Sequence, residues 1–359
     1  MRSRARWASI LAVLAVAPAV RAGGCPACSN PNLPMGGSSL GDATQSTADE
    51  RSRHEVAAAV APTLQGLFVL ALTADFLPTT SSHIEDCPDL GPRCAGAMKP
   101  TPYRHNVASY GYGATLDVQY GVLSWLSVSV TAPYRALTAR VHYTDLADAP
   151  YTPDPPDIHH RNETISGLAD PTVAVALGDA MGPLGFSVRL GALLPLGRTL
   201  DVDPFAAGRA GVAHEHVQFG TGTVRPIAGS ALGYDFGAVG VDGFFQGTLA
   251  IASNAIGYRP GQRIAGGVRL SSALGTSSAR FGLGAEAAHE TTETWHGSVQ
   301  EEGNLGRTDV LAVVGARWSP FARWGFFGAL KTPVYAHAVG AQLSYPLVVQ
   351  LGVATGWAL

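Results

Sequence analysis

The stretch "YGYGATLDVQYGV", residues 110–122, decides the fold. Tyr110, Tyr112, Ala114, Leu116, Val118, Tyr120 and Val122 fall on one side of a two-residue period, and Gly111, Gly113, Thr115, Asp117, Gln119 and Gly121 on the other. Side chains of an extended chain alternate between two faces, so this is a strand with one apolar and one polar face. "GVDGFFQGTLAI" (240–251) repeats the pattern, with Val241, Phe245, Leu249 and Ile251 against Asp242, Gln246 and Thr248. "RFGLGAEAA" (280–288) sets Phe281, Leu283, Ala285 and Ala287 against Arg280 and Glu286. "LVVQLGVATGWAL" (347–359) sets Leu347, Val349, Leu351, Val353 and Trp357 against Gln350, Gly352 and Gly356.

Twelve such segments are read from the chain: 55–75, 107–122, 125–142, 166–178, 185–196, 224–236, 239–252, 262–274, 279–291, 308–318, 323–336 and 347–358. The links between them alternate between long and short. A sandwich of two sheets has no reason to keep that rhythm. An antiparallel transmembrane β-barrel of the bacterial outer membrane does, with short periplasmic turns and long external loops. The even count sends both chain ends to the periplasmic side. The apolar faces quoted carry no Asp, Glu, Lys or Arg, as a lipid-facing surface requires. Of six tryptophans, Trp125, Trp318, Trp324 and Trp357 fall beside short turns or the end of the last segment, where an interfacial aromatic girdle belongs.

Composition agrees. The chain holds 43 Gly, 24 Pro and a net charge of −3. So many glycines oppose helices, and there is no basic footprint for nucleic acid. Residues 1–22 place Arg2, Arg4 and Arg6 before an apolar run and end in small residues. That is a secretory signal peptide cleaved near Ala22. The division expected is therefore signal peptide 1–22, a flexible periplasmic segment 23–54, and the barrel 55–359.

Several motifs resemble a family of outer-membrane transporters named for the meta-cleavage pathway of phenol degradation. They are "SGLADPTVAVALG" (166–178), "LLPLG" (193–197), "FGTGTVRP" (219–226), "YRPGQR" (258–263) and "LKTPVYAHAVGAQL" (330–343). Ala169 stands where the family more often has Gly. The resemblance implies a barrel that passes a small-molecule solute, hydrophobic or aromatic. The partners expected are outer-membrane lipid, the barrel-assembly machinery and, through the N-terminal segment, a periplasmic partner.

The alternation points Asp117, Arg135, Asp170, Arg189, Asp242, Arg269, Arg280, Glu286, Arg317 and Lys331 into the lumen. Two readings stand there: a charged passage that selects solutes, or a lattice of ion pairs that stiffens a narrow barrel. Open aqueous pores are secure only at about 16–18 strands. Histidines collect in external loops, and His159, His160, His214 and His216 are candidate metal ligands, with Asp154, Asp157 and Glu215 nearby. No cofactor is required, and no Ser-His signature of an enzyme is present; His142 and Ser166 are not paired by spacing. A membrane-anchored binding protein, capturing metal or a partner through these loops and the C-x-x-C segment, is the alternative function.

Four cysteines in an exported chain read first as disulfides. Cys87 and Cys94 flank Pro88, Gly91 and Pro92 in the first external loop, a local bridge. Cys25 and Cys28 form a C-x-x-C on the tether. Ser29 excludes the haem motif, no βαβ frame supports a thioredoxin-like site, and one pair supplies only two metal ligands. A local disulfide, a metal or redox contact with a periplasmic partner, and a lipid or intermolecular bond stay open. The tether is also long enough to fold into the lumen as a plug.

Overall fold

The computed structural model describes residues 55–85, 102–154, 157, 161–273, 278–301, 303–321, 323–339 and 344–358. The signal peptide, all four cysteines, His159 and His160 lie outside these residues.

The described chain is nearly all strand. β1 (Leu67–Glu85), β2 (Tyr103–Leu123) and β3 (Leu126–Thr144) are the long ones. β4 (Glu163–Leu168), β5 (Thr172–Met181), β6 (Leu184–Leu193), β7 (Arg225–Asp235) and β8 (Val239–Thr248) follow. Then come β9 (Tyr258–Arg259), β10 (Arg263–Ala273), β11 (Ala279–Glu290), β12 (Thr294–Trp295), β13 (Arg307–Phe321), β14 (Trp324–Ala338) and β15 (Val348–Ala358). Two six-residue helices complete the list, α1 (Glu55–Val60) and α2 (Pro204–Arg209).

These elements close into one antiparallel barrel of twelve staves. β15 pairs β1 from Leu67↔Ala358 to Phe76↔Val349, which shuts the ring. β4 and β5 make one stave between them. β4 pairs the outer half of β3, and β5 the inner half. The stave breaks at Ala169-Asp170-Pro171, where proline has no N–H to give the ladder. β9 and β12 form a separate ribbon in the external loops. Short turns join β2 to β3, β5 to β6 and β7 to β8. Gly182 (φ 58°) and Gly237 (φ 90°) occupy two of them in a conformation that a side chain would oppose.

The first expected segment needs correction. Residues 55–60 are a helix, and the first strand starts at Leu67 and runs ten residues past its expected end at 75. "EVAAAV" is apolar throughout, and a run that short carries no period able to tell strand from helix.

The walls sort by parity as the pattern requires. On β7, Arg225, Ile227, Gly229, Ala231, Gly233 and Asp235 are buried, while Leu232 and Tyr234 face outward and are exposed. Val268, Phe281, Leu283 and Leu351 continue the exposed apolar band. Aromatic pairs rim it below, Phe68 with Trp357 and Trp318 with Phe326, and above, Phe76 with Tyr112. From Phe68 to Phe76 is about 27 Å of strand, or about 20 Å of height at the usual tilt, which fits an apolar band of about 25 Å. The chain is a bacterial outer-membrane β-barrel.

External loops fold over the barrel mouth as a cap. Phe205 of α2 meets Trp295 edge-on at 5.5 Å, and Tyr258 packs on Trp295 at 4.9 Å. All three are buried. Asp203 caps α2 by accepting from Phe205 N at 2.9 Å. Trp295→Ala removes the ring at the centre of this cluster, a loss of about 3–5 kcal/mol for a buried aromatic. The expected result is fast proteolysis of the external loops with the barrel's heat-modifiable gel shift unchanged; protection equal to wild type would contradict the packing.

Glu293 lies beneath the same cluster and accepts from Trp295 Nε1 at 3.1 Å. Burial raises its carboxyl from 4.5 to about 7, against the opposing pull of that hydrogen bond. The folded cap therefore holds the proton better than the open loop does. The linked stability is full below pH 4.5 and is lost as pH rises through about 7. Loop protection from protease should thus increase on acidification across this window. Glu293→Gln should flatten that profile, as read by proteolysis at each pH.

Candidate functional site

The lumen holds two features: a plug at the periplasmic mouth and polar lattices on the walls above it. The plug is α1 with the residues that lead to β1. A six-residue helix is not stable alone, and three sets of contacts hold this one. The Asp235 carboxylate accepts the helix's first amides, Val56 N at 3.3 Å and Ala57 N at 2.9 Å. These are donors that a helix start leaves without partners, and a negative charge there suits the helix dipole. At the other end, Ser187 Oγ donates to the Val60 carbonyl at 2.6 Å. Beyond the helix, Thr63 Oγ1 donates to Gln119 Oε1 at 2.9 Å, and Gly66 N to the Gly121 carbonyl at 2.8 Å.

Glycine makes the seat. A Cβ on Gly185 would stand 1.8 Å from the Ala57 carbonyl oxygen, one on Gly240 2.3 Å from Val56 Cγ2, and one on Gly121 1.9 Å from the Leu64 carbonyl oxygen. Val56, Ala57, Ala59 and Val60 are all buried. The helix packs on β5, β6, β7 and β8, one wall of the mouth.

Above the plug, inward charges are paired in groups. On the β1–β3 wall, Arg135 Nη1 lies 3.5 Å from Asp75 and donates to Thr115 Oγ1 at 3.2 Å, while Gln350 Nε2 donates to Asp75 at 2.7 Å. Thr131 Oγ1 donates to Asp117 at 2.6 Å, and Arg189 Nη2 to Ser129 Oγ at 3.3 Å. On the opposite wall, Arg269 pairs Asp242 at 3.1 Å and Lys331 pairs Glu286 at 2.8 Å. Arg280 and Arg317 stand directly opposite one another on β11 and β13, near the short turns.

Asp170 is placed differently from the expectation for a strand residue. It sits in the β4–β5 break and accepts from Gly197 N, Thr221 N and Thr221 Oγ1 at 3.0, 2.8 and 2.6 Å. Those bonds hold the 194–224 loop to the wall. Its proline neighbour was the signal for a break. His214 Nε2 and His216 Nε2 are 2.8 Å apart, with His214 Nδ1 against the Val212 carbonyl at 2.7 Å. Among the described residues, no group of three or more His, Cys, Asp or Glu could hold a metal ion. Sequence reasoning passed over Asp75, which sits at the end of the misread first segment, and the plug contacts of Asp235.

A twelve-stranded outer-membrane barrel with an occupied periplasmic mouth is thus the class the fold and lumen define. No family model matches the chain, and no curated protein matches it. Solved structures do. A crystal structure of an outer membrane channel from Pseudomonas putida F1 superimposes with a TM-score of 0.54 at 11% identity, covering 83% of this chain and 97% of that one. At this identity the likeness speaks for the fold. Weaker likenesses extend to a FadL homologue of Pseudomonas aeruginosa (TM-score 0.38, 11% identity, 94% and 99% covered). A monoaromatic hydrocarbon channel, CymD, follows (0.36, 9%, 83% and 90%).

Proposed function

We propose that this barrel is a gated outer-membrane channel for a small solute, hydrophobic or aromatic in part, with α1 as the gate. The seating of α1 carries the reading. A barrel that served only as a membrane anchor would have no use for a helix of about 10 Å diameter fitted into glycine-lined space at one mouth and tied there by the Asp235 carboxylate and Ser187. The walls above it offer paired charges rather than a packed apolar core, so water and solute can occupy the lumen once the helix leaves. The solute class follows the resemblance to the phenol-pathway transporters.

Single-channel recording in a planar bilayer tests the reading. The mature chain is expected to stay shut for long periods and open in rare steps. If neither it nor a chain lacking α1 passes current while both show the folded-barrel gel shift, the barrel is not a channel.

A further inference from the structure

We propose that the outer surface of the β1–β4 wall, just above the external aromatic rim, is a docking site for the phosphorylated sugar headgroup of the glycolipid that forms the outer leaflet. The site stands apart from whatever the lumen passes. By the alternation of their strands, Arg104 on β2 and Arg140 on β3 occupy outward positions, while every other arginine and lysine of the described barrel staves occupies an inward one. An outward charge is opposed at the middle of the bilayer and tolerated at its edge. Arg140 lies opposite Ala108, which is four residues beyond Tyr112 of the rim. That is about 13 Å along the strand, or about 10 Å of height at the usual tilt. It is the depth of headgroups rather than of acyl chains.

The charge on this wall has one sign. No Asp or Glu occupies an outward position of β1 from 76 to 84, β2 from 104 to 112, β3 from 136 to 144 or β4 from 164 to 166. Arg104 is paired with Asp148 of the loop after β3, so its charge is shared. Arg140 is exposed and donates to the Ala139 carbonyl at 3.2 Å. The rest of its guanidinium fork is turned to the outside, in the planar geometry that grips a phosphate with two bonds.

The neighbours suit sugar hydroxyls. Ser82 Oγ donates to Asn106 Oδ1 at 2.8 Å, the Thr138 and Thr164 hydroxyls are 3.0 Å apart, and Tyr134 OH donates to Ser166 Oγ at 2.9 Å. Each pair keeps further donor or acceptor capacity. This polar wall is continuous below with the exposed apolar band that acyl chains cover. A lipid seated on that band brings its headgroup to the height of Arg140, whereas a free phosphate has no such anchor.

Native mass spectrometry of the refolded mature chain in detergent tests this, with bisphosphorylated lipid A, the same lipid stripped of its phosphates, and inorganic phosphate as probes. Bisphosphorylated lipid A is expected to be retained at least tenfold more strongly than the stripped form. Arg140→Gln should weaken retention tenfold or more, with Arg140→Lys recovering part of the loss. Arg104→Gln should weaken it less, because Asp148 already shares that charge. Arg209→Gln, an exposed arginine of α2, should change nothing. Ala108→Glu covers the case in which the arginine variant does not fold. It sets a carboxylate directly across from Arg140, leaves the guanidinium in place, and should match the loss of Arg140→Gln. The heat-modifiable gel shift reports folding of each variant. Stripped lipid A retained as well as the bisphosphorylated form, or retention that survives Arg140→Gln and Ala108→Glu, overturns the proposal. Inorganic phosphate that displaces lipid A at equal concentration overturns the lipid as the occupant.

Discussion

A chain that begins at Gly66 should conduct in steps at least tenfold larger than those of the mature chain. The deletion removes residues 23–54, α1 and the five residues after it. It leaves β1 whole, with its pairs to β2 and β15 from Leu67 or Phe68 onward. The barrel should therefore still insert and show its folded mobility. The plug sits in the periplasmic mouth at the level of Gly121, Gly185 and Gly240, where the wall offers only hydrogen atoms to the interior. With the helix absent nothing bulky replaces it, so current scales with the area released. Equal conductance from both chains would show that the restriction lies elsewhere, in the external cap.

The second expectation needs no deletion. Gly185→Val should hold the gate open. A Cβ at Gly185 cannot coexist with the Ala57 carbonyl at 1.8 Å, and both atoms are fixed, one in a paired strand and the other in a helix. The strand cannot retreat without breaking its ladders to β5 and β7. The helix has only local contacts to lose, so it leaves. Valine suits a strand, and conductance should rise to that of the deleted chain with the barrel's thermal stability preserved. Asp235→Ala gives a graded version. It leaves two buried helix amides unmatched, each costing about 1–3 kcal/mol. Since about 1.4 kcal/mol is a factor of ten in an equilibrium, the open fraction should rise tenfold or more. A Gly185→Val barrel as silent as wild type would mean that α1 is not the gate.

The barrel wall was legible because two solvents write on it at once. Lipid forbids charge at Leu116 and Val118, and water in the lumen favours it at Asp117, so the period of two is strong and faces could be assigned without a structure. Boundaries set by backbone chemistry were less legible. At 169–171 the proline was visible, yet the alternation of Thr172–Met181 hid the break. The helix at 55–60 was missed because "EVAAAV" is apolar after Glu55 and too short to show a period. The cap was beyond reach: Phe205 and Trp295 meet across ninety positions of chain, and no local pattern records a partner so distant. Which carboxylate each inward arginine meets was not legible, because it depends on stave order and tilt. Asp235 shows the limit: nothing in the pattern of its strand tells that it holds the helix.

The seam between β1 and β15 sets the order in which this molecule is made. Leu67 and Ala358 are neighbours in space with almost the whole chain between them. Pairings of such long separation form late, after nearly all other contacts exist to hold the ends near. Before that moment the barrel is an open, curling sheet with two bare edges, one of which is β1. α1 is tied to that edge by a linker of six residues, 61–66. Its seat, on β5 to β8, is formed by hairpins whose partners are adjacent in sequence. The helix can therefore dock sideways while the seam still gapes, and ring closure then traps it like a key left in a lock as the door shuts. The gate would be installed during biogenesis, and its first opening would be an event in the life of a finished channel.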